Sequence, residues 1–408
     1  MRLLPFFGAS LCIATLASCS GSNNLNRSTF TVADSAGIEV VTSHAPAWSA
    51  DEVWRVSDDP ILRIGELDGP PELSFGRVRV AGWLNDDRIF VGDDHAHSIR
   101  IFSPQGDYLA TAGREGHGPG ELQWFLAVSP YRGDSLFVYD IAQRAVSIFA
   151  PDLTFARRFN NPTGEGLYRV VDALDDGRFL LGSPGHNGLS GGPGLVPDTS
   201  LIILSTPDGV STDTLGAFET TVQHVGPNRR NQALFLQPHG ALVAGGNRII
   251  WTEGMTFQYM ESDPAGAVRR IARTTYQPMP VTDGIISDFK VRYMEWLEVA
   301  LVEGTMDQAR QSLEDGEYYP RLPAASDDVE IDALGNVWLG HYHHPGRPTE
   351  RWTVFDVDGV WQGTVDTPAG FEVHEIGVDE VIGVAKDEFD VPYIQVHRLH
   401  RGRSVPGS

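Results

Sequence analysis

Two stretches of this chain follow one plan, and that plan restricts the possible folds more than any other feature. The first runs Arg88-Ile-Phe-Val-Gly-Asp-Asp, then Ser98-Ile-Arg-Ile-Phe-Ser-Pro-Gln-Gly-Asp-Tyr-Leu-Ala-Thr-Ala-Gly113. The second runs Asp134-Ser-Leu-Phe-Val-Tyr-Asp140, then Ala145-Val-Ser-Ile-Phe-Ala-Pro-Asp-Leu-Thr-Phe-Ala-Arg-Arg-Phe159. Each unit has a strand ending in Asp, a short loop, a strand ending in Phe, a Pro-containing turn and another strand. Fainter copies follow at Leu201–Gly209 and Trp352–Gly359, with hairpin signals at Asp175-Asp-Gly and Leu334-Gly-Asn. Asp-Gly and Asn-Gly-like turns between alternating apolar residues mark tight hairpins.

Multi-strand units repeating at about 40 to 50 residues are the pattern of a β-propeller. A single four-stranded sheet cannot bury both faces, so successive sheets stack around an axis. The spacing predicts an all-β chain with blades near 75–113, 124–160, 167–217, 233–275, 326–366 and 371–400. The last segment supplies three strands, and the alternating Val53-Trp-Arg-Val and Ile61-Leu-Arg-Ile64 can supply its outer one. The expectation is a six-bladed β-propeller of four-stranded antiparallel blades over residues 31–402, with seven blades as the alternative.

Residues 88–149, with Gly113-Arg-Glu-Gly-His-Gly-Pro-Gly-Glu-Leu122 between the two units, resemble NHL repeats. Those repeats join a Gly-rich loop to two short strands, and Leu122 stands where the family usually has Phe. The chain also resembles uncharacterised six-bladed propeller lipoproteins of environmental bacteria. Asp34-Ser-Ala-Gly-Ile-Glu-Val-Val, Val53-Trp-Arg-Val-Ser, Pro280-Val-Thr-Asp and Pro368-Ala-Gly-Phe-Glu-Val carry that likeness. It implies architecture and no particular activity.

The N-terminus has the form of an export signal. Arg2 precedes an apolar run from Leu3 to Ala17, shorter than the roughly 18 residues a membrane span needs. Leu16-Ala-Ser-Cys19 resembles the lipobox of bacterial lipoproteins, which implies cleavage after residue 18 and acylation of Cys19. Ser20 follows, and the resemblance then implies transfer to the outer membrane, facing the periplasm or the cell surface. Residues 19–30 read as a flexible tether. The two cysteines are Cys12 and Cys19, so a mature chain has no disulfide and no cysteine metal site.

A formal charge of −23 argues against nucleic acid and anionic lipid surfaces as partners and leaves cationic partners open. The partners expected are a protein, peptide or glycan of the cell envelope, with the lipid as the membrane contact and the chain itself a monomer.

Strand alternation sorts the connections by face. Labelling strands a to d from axis to rim, the a–b and c–d turns are tight. The long segments, Arg114–Glu121, Gly182–Asp198, Ala217–Gln232, Gln277–Ala325 and His341–Thr349, are all d–a or b–c connections. One face therefore collects the elaborate loops, where function usually resides. The 277–325 insertion carries helical signals between blades 4 and 5: Thr282 or Asp283 as a cap, then Ile286, Phe289, Tyr293, Trp296, Leu297, Ala300 and Leu301 at helical spacing. Thr305 and Gln308 have capping-box spacing before a second helix.

Several polar groups sit on that face. Asp93, Asp94, His95 and His97 share one b–c loop, Asp140 opens the next, and Glu115 and His117 lie in the Gly-rich loop. Oxygen and imidazole ligands can hold a divalent cation, but an Asp recurring at one repeat position also suits capping of its own loop. His341, His343 and His344 form the densest imidazole cluster and are the candidate metal ligands. The Gly-rich loop precedes a strand and not a helix, so it lacks the helix N-terminus that phosphate binding requires. There is no G-x-S-x-G and no H-E-x-x-H. The expectation is a non-enzymatic binding scaffold of the envelope that needs no cofactor. The alternative is a metal-dependent hydrolase or lyase at the channel mouth.

Overall fold

The computed structural model describes residues 29–49, 52–160, 168–182, 194–225, 231–233, 236, 239–275, 281–300, 325–342 and 349–402. The chain opens with a hairpin, β1 (Phe30–Ser35) and β2 (Ile38–Ser43), followed by two short strands, β3 (Arg55–Val56) and β4 (Leu62–Ile64). Blade 1 is β5 (Val78–Trp83), β6 (Ile89–Asp93), β7 (Ser98–Phe102) and β8 (Tyr108–Ala112). Blade 2 is β9 (Phe125–Tyr131), β10 (Ser135–Asp140), β11 (Ala145–Phe149) and β12 (Phe155–Asn160). Blade 3 is β13 (Arg169–Ala173), β14 (Phe179–Gly182), β15 (Gly194–Ser205) and β16 (Thr212–Val225), edged by β17 (Asn231–Ala233). Blade 4 is β18 (Ala241–Gly245), β19 (Arg248–Thr252), β20 (Gln258–Ser262) and β21 (Val268–Thr274). After helix α1 (Asp283–Ala300), blade 5 is β22 (Ser326–Ile331), β23 (Val337–His341), β24 (Arg351–Phe355) and β25 (Trp361–Asp366). Blade 6 is β26 (Phe371–Ile376), β27 (Glu380–Lys386) and β28 (Pro392–His400).

The innermost strands close into a ring, with β5, β9, β13, β18, β22 and β26 each against the next and β26 returning to β5. The molecule is therefore the six-bladed propeller that the repeat spacing predicts. The apolar core is divided accordingly into six wedges, one between each pair of successive blades. Phe90 and Ile101 of blade 1, for example, pack with Phe125 and Val138 of blade 2. Strand alternation sends one set of side chains into the wedge ahead and the other into the wedge behind, so central strands such as β6 and β11 are buried on both faces.

Segments from near the two ends of the described chain, β3–β4 and β28, meet in blade 6. β4 and β3 pair antiparallel with β28 and occupy its outer edge. Arg401, just past β28, bonds the buried Asp332 of blade 5 at 2.7 Å, donates to the carbonyls of Gly377 and Val378, and lies 4.3 Å over the Trp54 ring. Asp332 also accepts from Asn336 and from Trp338 Nε1, so a single buried carboxylate holds a turn, an indole and the C-terminal segment.

Two features differ from the simplest repeat. The β1–β2 hairpin adds to the rim of blade 4, with β2 parallel to β21 and Val41 fully buried in the wedge between blades 4 and 5. Gly194–Asp198 and Ala217–Val225, expected as irregular loop, are strand, while 183–193 and 226–230 lie outside the described residues. β15 and β16 pair from Ser205↔Thr212 out to Gly194↔Val225 and extend blade 3 beyond its neighbours. The β-branched run Thr220-Thr-Val suits that extension. In α1, Thr282 is the cap: its Oγ1 accepts from the Ile285 N–H at 3.3 Å, and Phe289 stacks on Tyr293 one turn later. The Thr305–Gln308 segment lies outside the described residues.

Candidate functional site

All six inner strands run in the same direction, so their first residues lie at the end of the channel that carries the d–a and b–c connections. An axial cavity of about 600 Å³ runs along the channel, lined by residues of β5, β9, β13, β18, β22 and β26 and reaching the far ends of the inner strands at Ala173, Gly245 and Ile331. Inner strands have no further neighbour to pair with, so their free N–H groups face water or side chains. Here side chains fill much of that role across blade boundaries. Glu375 accepts from the Trp83 N–H at 3.0 Å, and His374 Nδ1 accepts from the Ala81 N–H at 2.9 Å. Asp172 accepts from Ala173 of its own blade at 2.8 Å and from the Ala244 N–H of the next.

A bulge aims these side chains. The registers of β5, β13, β22 and β26 against their neighbours shift at Arg79, Val171, Asp327 and His374, so each strand carries one extra residue at the channel wall. Bulges bend a strand and redirect its side chains. Because Ala81 N–H donates to His374 Nδ1, the neutral ring carries its proton on Nε2, which lies 3.7 Å from Glu372.

The channel is rich in acids and poor in free cations. Asp172, Asp328, Glu330 and Glu375 line it, together with Arg79 and His374. Arg79 is committed to Asp94, 2.7 Å away. Burial within the ring disfavours the charged carboxylates. It pushes Asp172 up to about 7 against the opposing Ala173 and Ala244 N–H bonds, and Glu375 up to about 7 with the Asp172 charge adding to it. Burial also raises Glu330 well above the usual carboxylate range, reinforced by Asp328, Asp172 and Glu375, and raises Asp328. Asp328 is nonetheless wetted, since it faces the open cavity.

A second cavity of about 350 Å³ opens beside the first, between blades 5 and 6, and shares Asp328 and Val373 with it. Asp327, Glu350, Glu372, His341, Arg351 and Trp352 line the remainder. Burial pushes Glu350 up to about 7, opposed by the Val373 N–H it accepts, while the neighbouring His374 holds Glu372 below the usual range. The Trp352 Nε1 is buried without a hydrogen-bond partner. The second cavity is an acidic cleft on the loop-rich face that continues at Asp328 and Val373 into the axial channel.

The residues singled out in the sequence fall in three places. Asp93 and Asp140 are buried ends of β6 and β10 with their oxygens filled by donors. Asp93 accepts the N–H groups of Gly76, Arg77, His95 and Ala96 at 2.9–3.2 Å, and Asp140 those of Gln123 and Gln143. Asp94 is buried between Arg77 and Arg79. His97 Nδ1 bonds the Gln123 carbonyl, while His95, Glu115 and His117 are exposed at the rim. His341 enters the acidic cleft, where its Nε2 lies 2.9 Å from Thr353 Oγ1 and its ring 4.3 Å from that of Phe257. His343 and His344 lie outside the described residues. Among the described residues no three His, Cys, Asp or Glu side chains come close enough together to hold a metal ion.

The channel acids were not anticipated from the sequence. Their trace is present nonetheless: charged residues inside otherwise apolar first strands of blades, as in Arg169-Val-Val-Asp-Ala, Ser326-Asp-Asp-Val-Glu-Ile and Phe371-Glu-Val-His-Glu-Ile.

No protein-family model matches this chain, and no curated protein matches it. Solved structures do. A protein from Bacteroides fragilis described as exported is 13% identical, with a TM-score of 0.51 over 89% of this chain and 99% of its own. A member of the DUF4221 family from Bacteroides vulgatus is 8% identical, with a TM-score of 0.53 over 86% of this chain and 100% of its own. A gluconolactonase from Xanthomonas campestris is more distant, 10% identical at a TM-score of 0.43 over 85% of this chain and 100% of its own. At these identities the likeness to the two Bacteroides proteins establishes a shared fold alone.

Proposed function

We propose that this protein is an exported lipoprotein, anchored through Cys19, whose NHL-like propeller works as a binding module of the cell envelope. Its loop-rich face receives a protein, peptide or glycan that presents a cationic group. The acidic cleft carries this reading. Asp327, Asp328, Glu350 and Glu372 gather at the mouth of the channel, on the face that also receives the long connections. A chain of formal charge −23 draws cationic ligands from a distance, and a cleft of one sign focuses that field.

The test is saturable binding of Lys- or Arg-bearing envelope peptides to protein lacking the first 28 residues. Asp328→Asn with Glu372→Gln should weaken binding at least tenfold and flatten its salt dependence. Unchanged affinity in that double variant would move the site elsewhere.

A second reading is a metal-dependent hydrolase or lyase at the same mouth. One observation favours it: farther along the channel behind that mouth, Asp172 and Glu375 are held near 7, where a carboxyl exchanges protons readily at neutral pH. Metal analysis of the purified protein separates the two. A stoichiometric cation that is lost on His341→Ala supports the enzyme.

A further inference from the structure

The turns of the tight-turn face are tied from blade to blade, and one tie is missing. Asn85 of blade 1 bonds Asp134 of blade 2 at 2.6 Å. Arg157 reaches the Pro207 carbonyl of blade 3 at 2.8 Å, Arg178 the Pro264 carbonyl of blade 4 at 3.2 Å, and Arg248 the Gly335 carbonyl of blade 5 at 2.7 Å. Arg401, past β28, joins blade 6 to Asp332 of blade 5. The closing seam, between blades 6 and 1, keeps its crossing bonds inside the channel, where the Ala81 and Trp83 N–H groups donate to His374 and Glu375. Among the described residues no side chain of blade 6 bonds a turn of blade 1. The reason lies in equivalent positions. The Gly377 N–H donates to the Glu380 carbonyl as the Leu174 N–H does to that of Arg178, so Glu380 is the counterpart of the bridging Arg178. The Gly106 N–H closes the turn at Pro104 as the Gly266 N–H closes the one at Pro264, so the Pro104 carbonyl is the counterpart of the acceptor. Blade 6 therefore carries a carboxylate where blade 3 carries a guanidinium, and Glu380 and Pro104 line one groove.

That groove has a volume of about 700 Å³, within the roughly 300–1,000 Å³ that ligand sites occupy. Trp83, Leu62 and the exposed Ile61 and Val378 give it apolar walls, and Asp87, Asp379 and Glu380 give it acids. Arg398 serves both Asp379 and Glu380, at 3.0 and 3.2 Å, while the charge of Arg401 is matched by Asp332. Asp87 is exposed and has no ion pair among the described residues. Three carboxylates thus share one cation, and the Pro104 carbonyl adds an acceptor. We propose that this groove docks a polypeptide segment of a partner protein through an arginine side chain. The partner supplies from outside the cation that Arg178 supplies at the seam between blades 3 and 4. A guanidinium suits the site better than an ammonium. Its five donors lie in one plane and can meet several acceptors, and its weakly hydrated face can rest on an indole such as Trp83. The apolar walls take the arginine stem and a neighbouring apolar residue. The site lies on the opposite face from the acidic cleft and does not depend on the role proposed for that cleft.

The probe is the acetylated and amidated peptide Ala-Leu-Arg-Leu-Ala, with citrulline in place of arginine as the uncharged control. It is titrated into the full-length protein carrying 5-fluorotryptophan, with the Trp83 resonance assigned through Trp83→Phe. The arginine peptide should shift that resonance saturably, and the citrulline peptide should bind at least fivefold more weakly. Asp87→Asn with Asp379→Asn should weaken binding at least tenfold, and Asn tolerates the left-handed φ of 64° at position 87. Glu380→Arg should install the missing bridge within the chain and abolish the shift. Asp328→Asn with Glu372→Gln, in the acidic cleft, should leave the shift unchanged. An unmoved Trp83 resonance, equal affinity for the citrulline peptide, or wild-type affinity in the Asp87 and Asp379 double variant overturns the proposal. So does a shift that survives Glu380→Arg or disappears with the cleft variant. If Glu380→Arg unfolds, the double variant, at two exposed positions, decides in its place.

Discussion

Asp93 and Asp172 are both carboxylates enclosed by protein, yet their surroundings act in opposite directions. Asp93 receives four backbone N–H groups and faces Arg100 at 3.7 Å, so the folded state supplies what water would. Removing it orphans those donors. Asp93→Ala should cost about 2–4 kcal/mol, measured by urea unfolding, and a loss below ~1 kcal/mol would leave a ligand role as the better account of this position. Asp172 has fewer donors and acidic neighbours, and its proton is retained up to about 7. An acid that binds its proton more tightly when folded makes the folded state take up protons between its two titration points. Its contribution is then most favourable below about 4, and stability is lost as pH rises from there to about 7. Asp172→Asn keeps the acceptor for the Ala173 N–H and removes the titration. It should raise stability at pH 8 by about 1–2 kcal/mol, discounted for the water in the channel, and change little at pH 4. A destabilised variant at pH 8 would mean that Asp172 is ionised and paired.

At the level of elements, closure depends on strands that are distant in sequence. β28 is held on its outer edge by β3 and β4, and Arg401 clamps the junction to Asp332, whose side chain is fully buried. Arg401→Ala leaves that carboxylate with its Asn336 and Trp338 donors and without a counter-charge. The expected loss is about 2–3 kcal/mol, seen as a shift of the urea midpoint without a change in slope. A change in slope would instead indicate that blade 6 opens before the remainder of the ring. The Asp-Gly turns at Asp175-Asp-Gly177 and Asp358-Gly359 made the blades visible in the sequence, because a tight turn is a local event that a few residues dictate. The β1–β2 hairpin was not visible as part of blade 4, because a parallel rim pairing leaves no signal near either partner. The extension of β15 and β16 was hidden for a related reason: Gly194 and Pro197 read as loop residues, and only cross-strand pairing overrides them. The acids of the channel were obscured because they are spread over strands distant in the sequence. Asp172, Glu330 and Glu375 become a group only when three blades converge.

The whole ring balances six apolar wedges against charge of a single sign. Each wedge needs its two blades held together, while the acids of blades 3, 5 and 6 face one another across the axis with Arg79 already engaged by Asp94. Outside, the formal charge of −23 adds a diffuse repulsion. Both terms oppose closure and both weaken with salt, but they differ in pH. Asp172 and Glu375 are neutral at pH 5 and ionised at pH 8, whereas most surface carboxylates are ionised at both. Raising NaCl from ~0.02 to ~0.5 M shortens the screening distance from roughly 20 Å to about 4 Å. The melting temperature should therefore rise with salt at pH 8 by several degrees and rise less at pH 5. Combining Asp172→Asn, Glu330→Gln and Glu375→Gln separates the sources. If channel repulsion dominates, the triple variant melts higher than wild type at pH 8 in low salt and loses at least half of the salt response. If the surface dominates, wild type and variant respond in parallel, and the channel acids are better understood as bonding partners for the inner-strand N–H groups of neighbouring blades than as a source of strain in the ring.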